Sequence, residues 1–311
     1  MSFHEPVLCE KTVDYLLTDL GGIYVDGTVG GGGHAEAICR RLVPRGRLIC
    51  FDADDDAIDH ARKRLREYGG AVSFVHANAS CLAAELDGRG IGAVSGILLD
   101  LGVSSFQIDR PEKGFSFQAD GQLDMRFDRR QDLTARDVVN AYAEDALERI
   151  IREYGEERYS RKITKAIIAR RPLLTSRELC TAVSSVVGGR FLTKSLARVF
   201  QALRIEVNAE LANLSRALLD SMAKLEPGGR LVVIAYHSLE DRIVKNFLKR
   251  ESARVVRSPH VYVPDEERLP ALQILHRKPV IPDAEEIRSN PRARSAKMRV
   301  ATRLRVPGDH Y

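Results

Sequence analysis

The chain contains no tryptophan and only five cysteines among 311 residues. Those cysteines are Cys9, Cys39, Cys50, Cys81 and Cys180. Their number is odd and no two form a C-x-x-C pair, which argues against a disulfide framework and a zinc site; reduced thiols are expected. No run of about 18 uncharged apolar residues occurs, so no membrane span is expected. Residues 1–6 lack a basic region followed by an apolar run and do not read as a secretion signal. A cytoplasmic protein is the expectation. One further scarcity is local. From residue 288 to 305 there is no acid, but there are seven cations: Arg288, Arg292, Arg294, Lys297, Arg299, Arg303 and Arg305. With nothing to pair locally, they would attract phosphates. A solvated basic tail is the alternative.

What is present is otherwise ordinary for a soluble globular protein: 44% hydrophobic residues, 29% charged and a net charge of +5. The length suits one large domain plus an insertion.

The first hundred residues alternate strand and helix patterns. Short apolar runs at 23–25, 47–52, 72–76 and 94–101 read as strands, and 35–42 and 57–68 as helices. Strands this apolar, separated by helices, imply a parallel sheet covered on both faces. The alternation then stops. Residues 106–132 are loop-like, and 134–198 show helical patterns at 135–154, 158–171, 176–187 and from 193 onward. Thr134 and Ser176 are the expected helix caps. The sheet pattern returns after a Pro-Gly-Gly turn, with a strand to Tyr236 and a helix over 238–250. Late strands near 273–280 and 296–304 would finish the sheet. We therefore expect an α/β protein with a Rossmann-like sheet over 1–133 and 199–311, and an inserted all-helical subdomain over 134–198.

The strongest local motif is Val25-Asp-Gly-Thr-Val-Gly-Gly-Gly-Gly-His34. Glycines at a strand-to-helix turn let the backbone approach a ligand and expose helix N-terminal amides. Asp52 closes the second strand, where a carboxylate can accept both ribose hydroxyls of an adenosine cofactor. Its alternative role is to cap the following helix, in competition with Asp54, Asp55 and Asp56. These features do not separate a nicotinamide cofactor from S-adenosylmethionine. Leu225-Glu-Pro-Gly-Gly-Arg-Leu231 before the fifth strand is the turn many class I methyltransferases carry there. Asp100 ends the fourth strand, and open parallel sheets bind ligands beyond their carboxyl ends. Amino-group methyltransferases commonly carry Asp/Asn/Ser-Pro-Pro-aromatic at that place. Asp100-Leu-Gly-Val103 keeps the polar head and lacks the rest.

Taken together, Asp26-Gly-Thr28, Gly32-Gly-His34, Leu99-Asp-Leu-Gly-Val-Ser-Ser105, Lys113-Gly-Phe-Ser-Phe117, Leu123-Asp-Met-Arg126, Tyr154-Gly-Glu-Glu-Arg158, Phe200-Gln-Ala-Leu-Arg-Ile-Glu-Val-Asn208, His237-Ser-Leu-Glu-Asp-Arg242 and Asn290-Pro-Arg-Ala-Arg-Ser295 closely resemble the RsmH family, also called MraW. The match runs in order over nearly the whole chain. These are small-subunit ribosomal RNA cytosine-N4 methyltransferases. The resemblance implies S-adenosylmethionine as cofactor, a cytidine in the decoding region of 16S rRNA as target, and a helical substrate-recognition insertion. The family's cofactor contacts fall on Gly32, Gly33, His34, Asp52, Asp100 and Gln107. A further one falls on Ala79, where relatives often carry phenylalanine. A methyl group cannot stack on adenine, which leaves a backbone contact there or none.

Methyl transfer to the cytosine amine needs an in-line nitrogen and an acceptor for an amino hydrogen. Asp100, or the carbonyl just after it, is the first candidate. His237 and Asp241, after the fifth strand, are the others, and a packed or helix-capping histidine is the alternative for His237. Arg242, Arg292, Arg294 and Lys297 are the candidate RNA contacts. No metal is required, because the sulfonium is already activated. Binding within the small ribosomal subunit is expected, no membrane partner is, and a homodimer is open. A nicotinamide oxidoreductase and a catalytically silent RNA-binding factor are the competing classes; the former leaves most of the shared motifs unexplained.

Overall fold

The structure is a computed structural model, and it describes residues 6–108, 110–256 and 266–305. The chain divides into two compact units, one from 1–102 with 212–311 and the other from 103–211.

In the first unit the elements run α1 (Cys9–Leu16), β1 (Ile23–Asp26), α2 (Gly33–Arg41), β2 (Arg47–Asp52), α3 (Asp55–Arg64), β3 (Val72–His76), α4 (Leu82–Asp87) and β4 (Val94–Asp100). The chain then enters the second unit, with α5 (Ser105–Ile108), α6 (Ala135–Ala141), α7 (Glu144–Glu153), α8 (Ser160–Ile168), α9 (Ser176–Ser184) and α10 (Leu192–Asn208). It returns through α11 (Glu210–Lys224) to β5 (Leu225–Ala235), α12 (Ser238–Glu251), β6 (Val255–Val256), β7 (Glu266–Glu267), β8 (Leu272–Ile274), α13 (Ala284–Ser289) and β9 (Lys297–Arg303).

Seven strands form one sheet in the order β3-β2-β1-β4-β5-β9-β8. The first five are parallel, and β9 lies antiparallel to both β5 and β8. Both faces are buried because side chains alternate along each strand. Tyr24, Leu48, Cys50, Leu98, Val232 and Ile234 point to the face covered by α1, α2 and α3. Val25, Ile49, Phe51, Ile97, Leu99 and Leu231 point to the opposite face, covered by α4, α11 and α12. The four early strands lie where the sequence places them. The Pro-Gly-Gly turn is absorbed into β5 as an irregularity: pairing with β4 jumps from Val94–Leu225 to Gly96–Arg230. The late strand expected over 273–280 is shorter, and Val280 meets Met298 only as an isolated bridge.

The helical unit is wider than 134–198. Its core of Leu147, Ile150, Ile163, Leu179, Val199 and Leu203 also takes in Leu123 and Met125 from the preceding loop. Asn208 holds that loop: its amide donates to the Met125 carbonyl at 2.8 Å and its Oδ1 accepts from Phe127 N–H at 2.8 Å. The helix expected over 135–154 is two, with extended backbone at Tyr142 and Ala143. The Arg171 guanidinium donates to the Val139 and Tyr142 carbonyls, both at 2.7 Å, and so satisfies the free end of α6. Thr134 caps α6 as expected, but α9 is capped by Thr175 rather than Ser176. Thr175 stands three residues before Glu178, the spacing of a capping box. Ser176 is buried and bonds the Ala119 carbonyl instead.

Candidate active site

Beyond the carboxyl ends of β1, β2, β4 and β5 four polar side chains gather: Asp26, Asp52, Asp100 and Tyr236. Parallel strands in register deliver them. Asp26 pairs with Leu98 and Cys50, and Asp100 pairs with Ile234, two residues before Tyr236.

The glycine turn joins β1 to α2. Gly30 and Gly32 adopt φ of 49° and 77°, a region that glycine enters without a Cβ clash. Gly32 is the N-cap of α2 and Gly33 its first residue. Asp52 ties this turn to β2: its Oδ2 accepts from Gly30 N–H at 2.8 Å and its Oδ1 from Asp54 N–H at 2.9 Å. Asp54, not Asp52, caps α3. Loss of hydration pushes the Asp52 carboxyl up to about 6, against the pull of those two amides.

Asp26 is almost fully buried. Its Oδ1 accepts from Thr28 N–H at 3.2 Å, while its Oδ2 has no hydrogen-bond partner among the described residues. Burial pushes its pKa up to about 7; His34 opposes this, and the charges of Asp100 and Asp52 add to it.

Asp100 is clasped from two sides. Tyr236 Oη donates to its Oδ1 at 2.8 Å, and His34 Nδ1 lies 3.3 Å from its Oδ2. The Asp100 N–H donates to Thr28 Oγ1 at 2.7 Å, which fixes the strand end to the glycine turn. His34 is buried, with Nε2 3.0 Å from the Val7 carbonyl. A carbonyl can only accept, so Nε2 carries a proton. Burial disfavours a second one, but the bond and charge of Asp100 outweigh it and raise the imidazole pKa. Burial and the Asp100 charge hold the Tyr236 hydroxyl well above its ordinary value.

The other predicted residues make contacts of their own. His237 is the N-cap of α12: its Nδ1 accepts from Glu240 N–H at 3.3 Å, and its Nε2 lies 3.1 Å from Glu240 Oε1. Asp241 accepts from Arg299 Nε at 2.7 Å and Lys297 Nζ at 3.4 Å. Burial would raise its pKa, but Arg299 and Lys297 outweigh it and hold the carboxyl below its usual range. The basic stretch is therefore not wholly unpaired. Lys297 and Arg299 find an acid 56 and 58 positions away, out of reach of any local count. Arg242 and Arg294 are exposed, and Arg292 is half-buried beside Asn290. Ala79 is buried at the end of β3, in a single 3₁₀ turn capped by Asn78. Gln107 belongs to the helical unit, on α5, where its Oε1 accepts from Ser104 N–H at 3.0 Å. Sequence reasoning alone does not single out Asp26 and Tyr236, which the structure brings beside Asp100 and His34. Asp26 was legible as the acid at the end of β1, whereas Tyr236 reads as the last apolar residue of a strand.

Five parallel strands followed by an antiparallel pair, with a glycine turn after the first and acids closing β1, β2 and β4, define a class I methyltransferase. The chain belongs to the MraW methylase family, whose sequence profile matches residues 1–304. Ribosomal RNA small subunit methyltransferase H of Carboxydothermus hydrogenoformans is 45% identical over 306 residues, covering 97% of this chain and 98% of that protein. The protein of the same name from Caldicellulosiruptor saccharolyticus is 46% identical over 305 residues, covering 97% and 99%. That from Clostridioides difficile is 41% identical over 311 residues, covering 98% and 100%.

The residues present suit S-adenosylmethionine, the cofactor of this class. It carries a sulfonium and an ammonium, and the site offers three carboxylates, of which Asp100 and Asp52 add their charges to the rise in the Asp26 pKa. One of them has a buried oxygen with no partner among the described residues. A cationic ligand relieves both conditions.

Proposed function

We propose that this chain transfers the methyl group of S-adenosylmethionine to the exocyclic N4 amine of a cytidine in the decoding region of 16S rRNA, within the small ribosomal subunit. The observation that carries the reading is Asp100, held at the end of β4 by Tyr236 and His34. That is the place where amino-group methyltransferases keep a polar head. The cofactor, when bound, supplies a methyl group already activated as a sulfonium.

The chain's own residues supply placement. Gly32, Gly33 and His34 open α2, whose N-terminal amides suit a carboxylate. Asp52 has two oxygens with about four acceptor sites, and two backbone amides use only part of that capacity. It retains acceptors for ribose hydroxyls. Asp100 likewise keeps lone pairs beyond those facing Tyr236 and His34. Accepting an amino hydrogen there lets the nitrogen lone pair leave conjugation with the ring and turn toward the methyl. Gln107 and Ala79 as cofactor contacts, and Arg242, Arg292 and Arg294 as phosphate contacts, rest on the family resemblance. His237 reads as a helix cap in this geometry, and Asp241 as the partner of two cations. The test is mass mapping of 16S rRNA from cells lacking the protein. Loss of one methyl from a decoding-region cytidine, restored by the gene and not by its Asp100→Ala form, is the expected outcome. An unchanged methylation map would refute the reading.

A further inference from the structure

The helical unit carries a charge asymmetry that its core does not need. From residue 158 to 205 the sequence holds eleven lysines and arginines and one acid, Glu178. Several of these cations are consumed internally. Arg171 bonds two carbonyls, and Arg177, Arg198 and Arg204 pair with Asp120, Glu157 and Glu210. Arg158, Arg161, Lys162, Lys165, Arg190 and Lys194 are exposed, and no ion pair joins them to a described residue.

An aromatic ring stands among them. Phe191 is 41% exposed and lies outside the unit's apolar core. The guanidinium groups of Arg158 and Arg190 each lie 4.9 Å from its ring centroid. Arg158 also lies 4.6 Å from the Tyr159 ring. Phe191 ends the 3₁₀ turn Gly189–Phe191 before α10, and Arg158 just precedes α8. Arg161 and Lys162 then fall on the first turn of α8, and Lys194 on the first turn of α10.

We propose that this face of the helical unit binds single-stranded RNA, an unpaired base stacking on Phe191 and the Arg158 and Arg190 guanidinium planes, and the backbone phosphates meeting Arg161, Lys162 and Lys194. The proposal deepens the ribosomal RNA reading above and rests on it for the identity of the strand. Base faces stack on aromatic rings and guanidinium planes, and lysines neutralise the phosphates that follow. An acidic peptide would use the cations but has no need of the exposed ring. A duplex hides its base faces and would meet the cations alone.

The test uses the full chain and a labelled single-stranded RNA of about 12 nucleotides, read by fluorescence anisotropy. Phe191→Leu keeps an apolar group at an exposed site and should weaken binding about 5- to 100-fold, while Phe191→Trp should hold it near the parent level. Replacing Arg161, Lys162 and Lys194 together by glutamine should reduce the salt slope by about 2, three single-strand phosphates at about 0.7 each. S-adenosylmethionine affinity should be unchanged in every variant. Binding of Phe191→Leu within about twofold of the parent overturns the proposal. So does an equal loss on duplex RNA, or displacement by poly-glutamate as effective as by unlabelled RNA. If the parent methylates ribosomal RNA and the variants bind and turn over like it, the surface is wrong and the enzyme reading stands. If the parent transfers no methyl to ribosomal RNA yet binds it through Phe191, the enzyme reading fails and the surface stands.

Discussion

In the proposed reaction the chemistry turns on Asp100, and its two neighbours fix a carboxylate at a strand end. Tyr236 and His34 approach different carboxylate oxygens, so the group has one orientation rather than a set of rotamers. If Asp100 accepts an amino hydrogen, Asp100→Ala should lower turnover at saturating cofactor by about 10²–10⁴. Asp100→Asn should be milder, since its amide oxygen still accepts. Tyr236→Phe should cost about ten- to a hundredfold in turnover, the value of one hydrogen bond to a charged group. Steady-state kinetics at several cofactor concentrations check all three. A raised cofactor KM with turnover kept would instead make Asp100 a cofactor-orienting group.

A second residue-scale prediction concerns protons. The folded chain raises Asp26 from 3.8 to about 7 and Asp52 from 3.8 to about 6. Raised carboxyls hold protons that the unfolded chain has released. These two groups therefore lower stability as pH climbs from near 4 to near 7, and add no further slope above that. A bound cation favours the ionised forms, so cofactor binding should release protons across the upper part of that window. Calorimetry at pH 6.5 in two buffers of different ionisation enthalpy measures the release, and Asp26→Asn should remove most of it. Buffer-independent heats in the parent chain would count against a carboxylate site for the cationic cofactor.

At the scale of elements, one acid ties α12 to the strand β9. Asp241 on α12 bonds Arg299 and lies near Lys297, both on β9, and all but Lys297 are largely shielded from water. Removing the carboxylate leaves a shielded guanidinium without its anion. Asp241→Asn should cost about 1.5–3 kcal/mol, the range for a hydrogen bond to a charged group, read as a lower urea midpoint at unchanged slope. A change within about 0.3 kcal/mol would mean that water replaces the partner fully. The same clasp explains why a run of cations in sequence is not a run of free cations in space.

At the scale of the whole molecule, the nucleotide-site acids and the glycine turn belong to one unit, and the exposed cations of α8 and α10 to the other. Replacing 103–211 by a short glycine linker should leave S-adenosylmethionine binding measurable by calorimetry. It should abolish methyl transfer to the small subunit. The wider boundary matters. A cut at 134–198 would leave Leu123 and Met125 without the core they fill and would provoke aggregation for reasons unrelated to recognition. A soluble 103–211 deletion that still methylated at the parent rate would remove the helical unit from substrate recognition.

Periodicity and punctuation determined most of the sheet. The strands 47–52 and 72–76 are short segments with apolar centres that punctuation separates from the helices, and the glycine turn lies where a strand hands over to a helix. Asp52 and Asp100 were legible for the same reason, because a strand's last residue is placed by the strand. What the tertiary structure decided are matters of long-range pairing. The break at Tyr142 depends on Arg171, whose guanidinium takes the carbonyls that a longer helix would have used. The choice of Thr175 over Ser176 as cap goes with the loop at Ala119, which engages the second hydroxyl. Asp26 came to hold one carboxylate oxygen with no partner among the described residues, Tyr236 became a donor to Asp100, and Lys297 a paired cation only once the distant elements lay side by side. Local pattern reports which face of an element is apolar. It carries no record of which distant atom will meet the polar groups at its end.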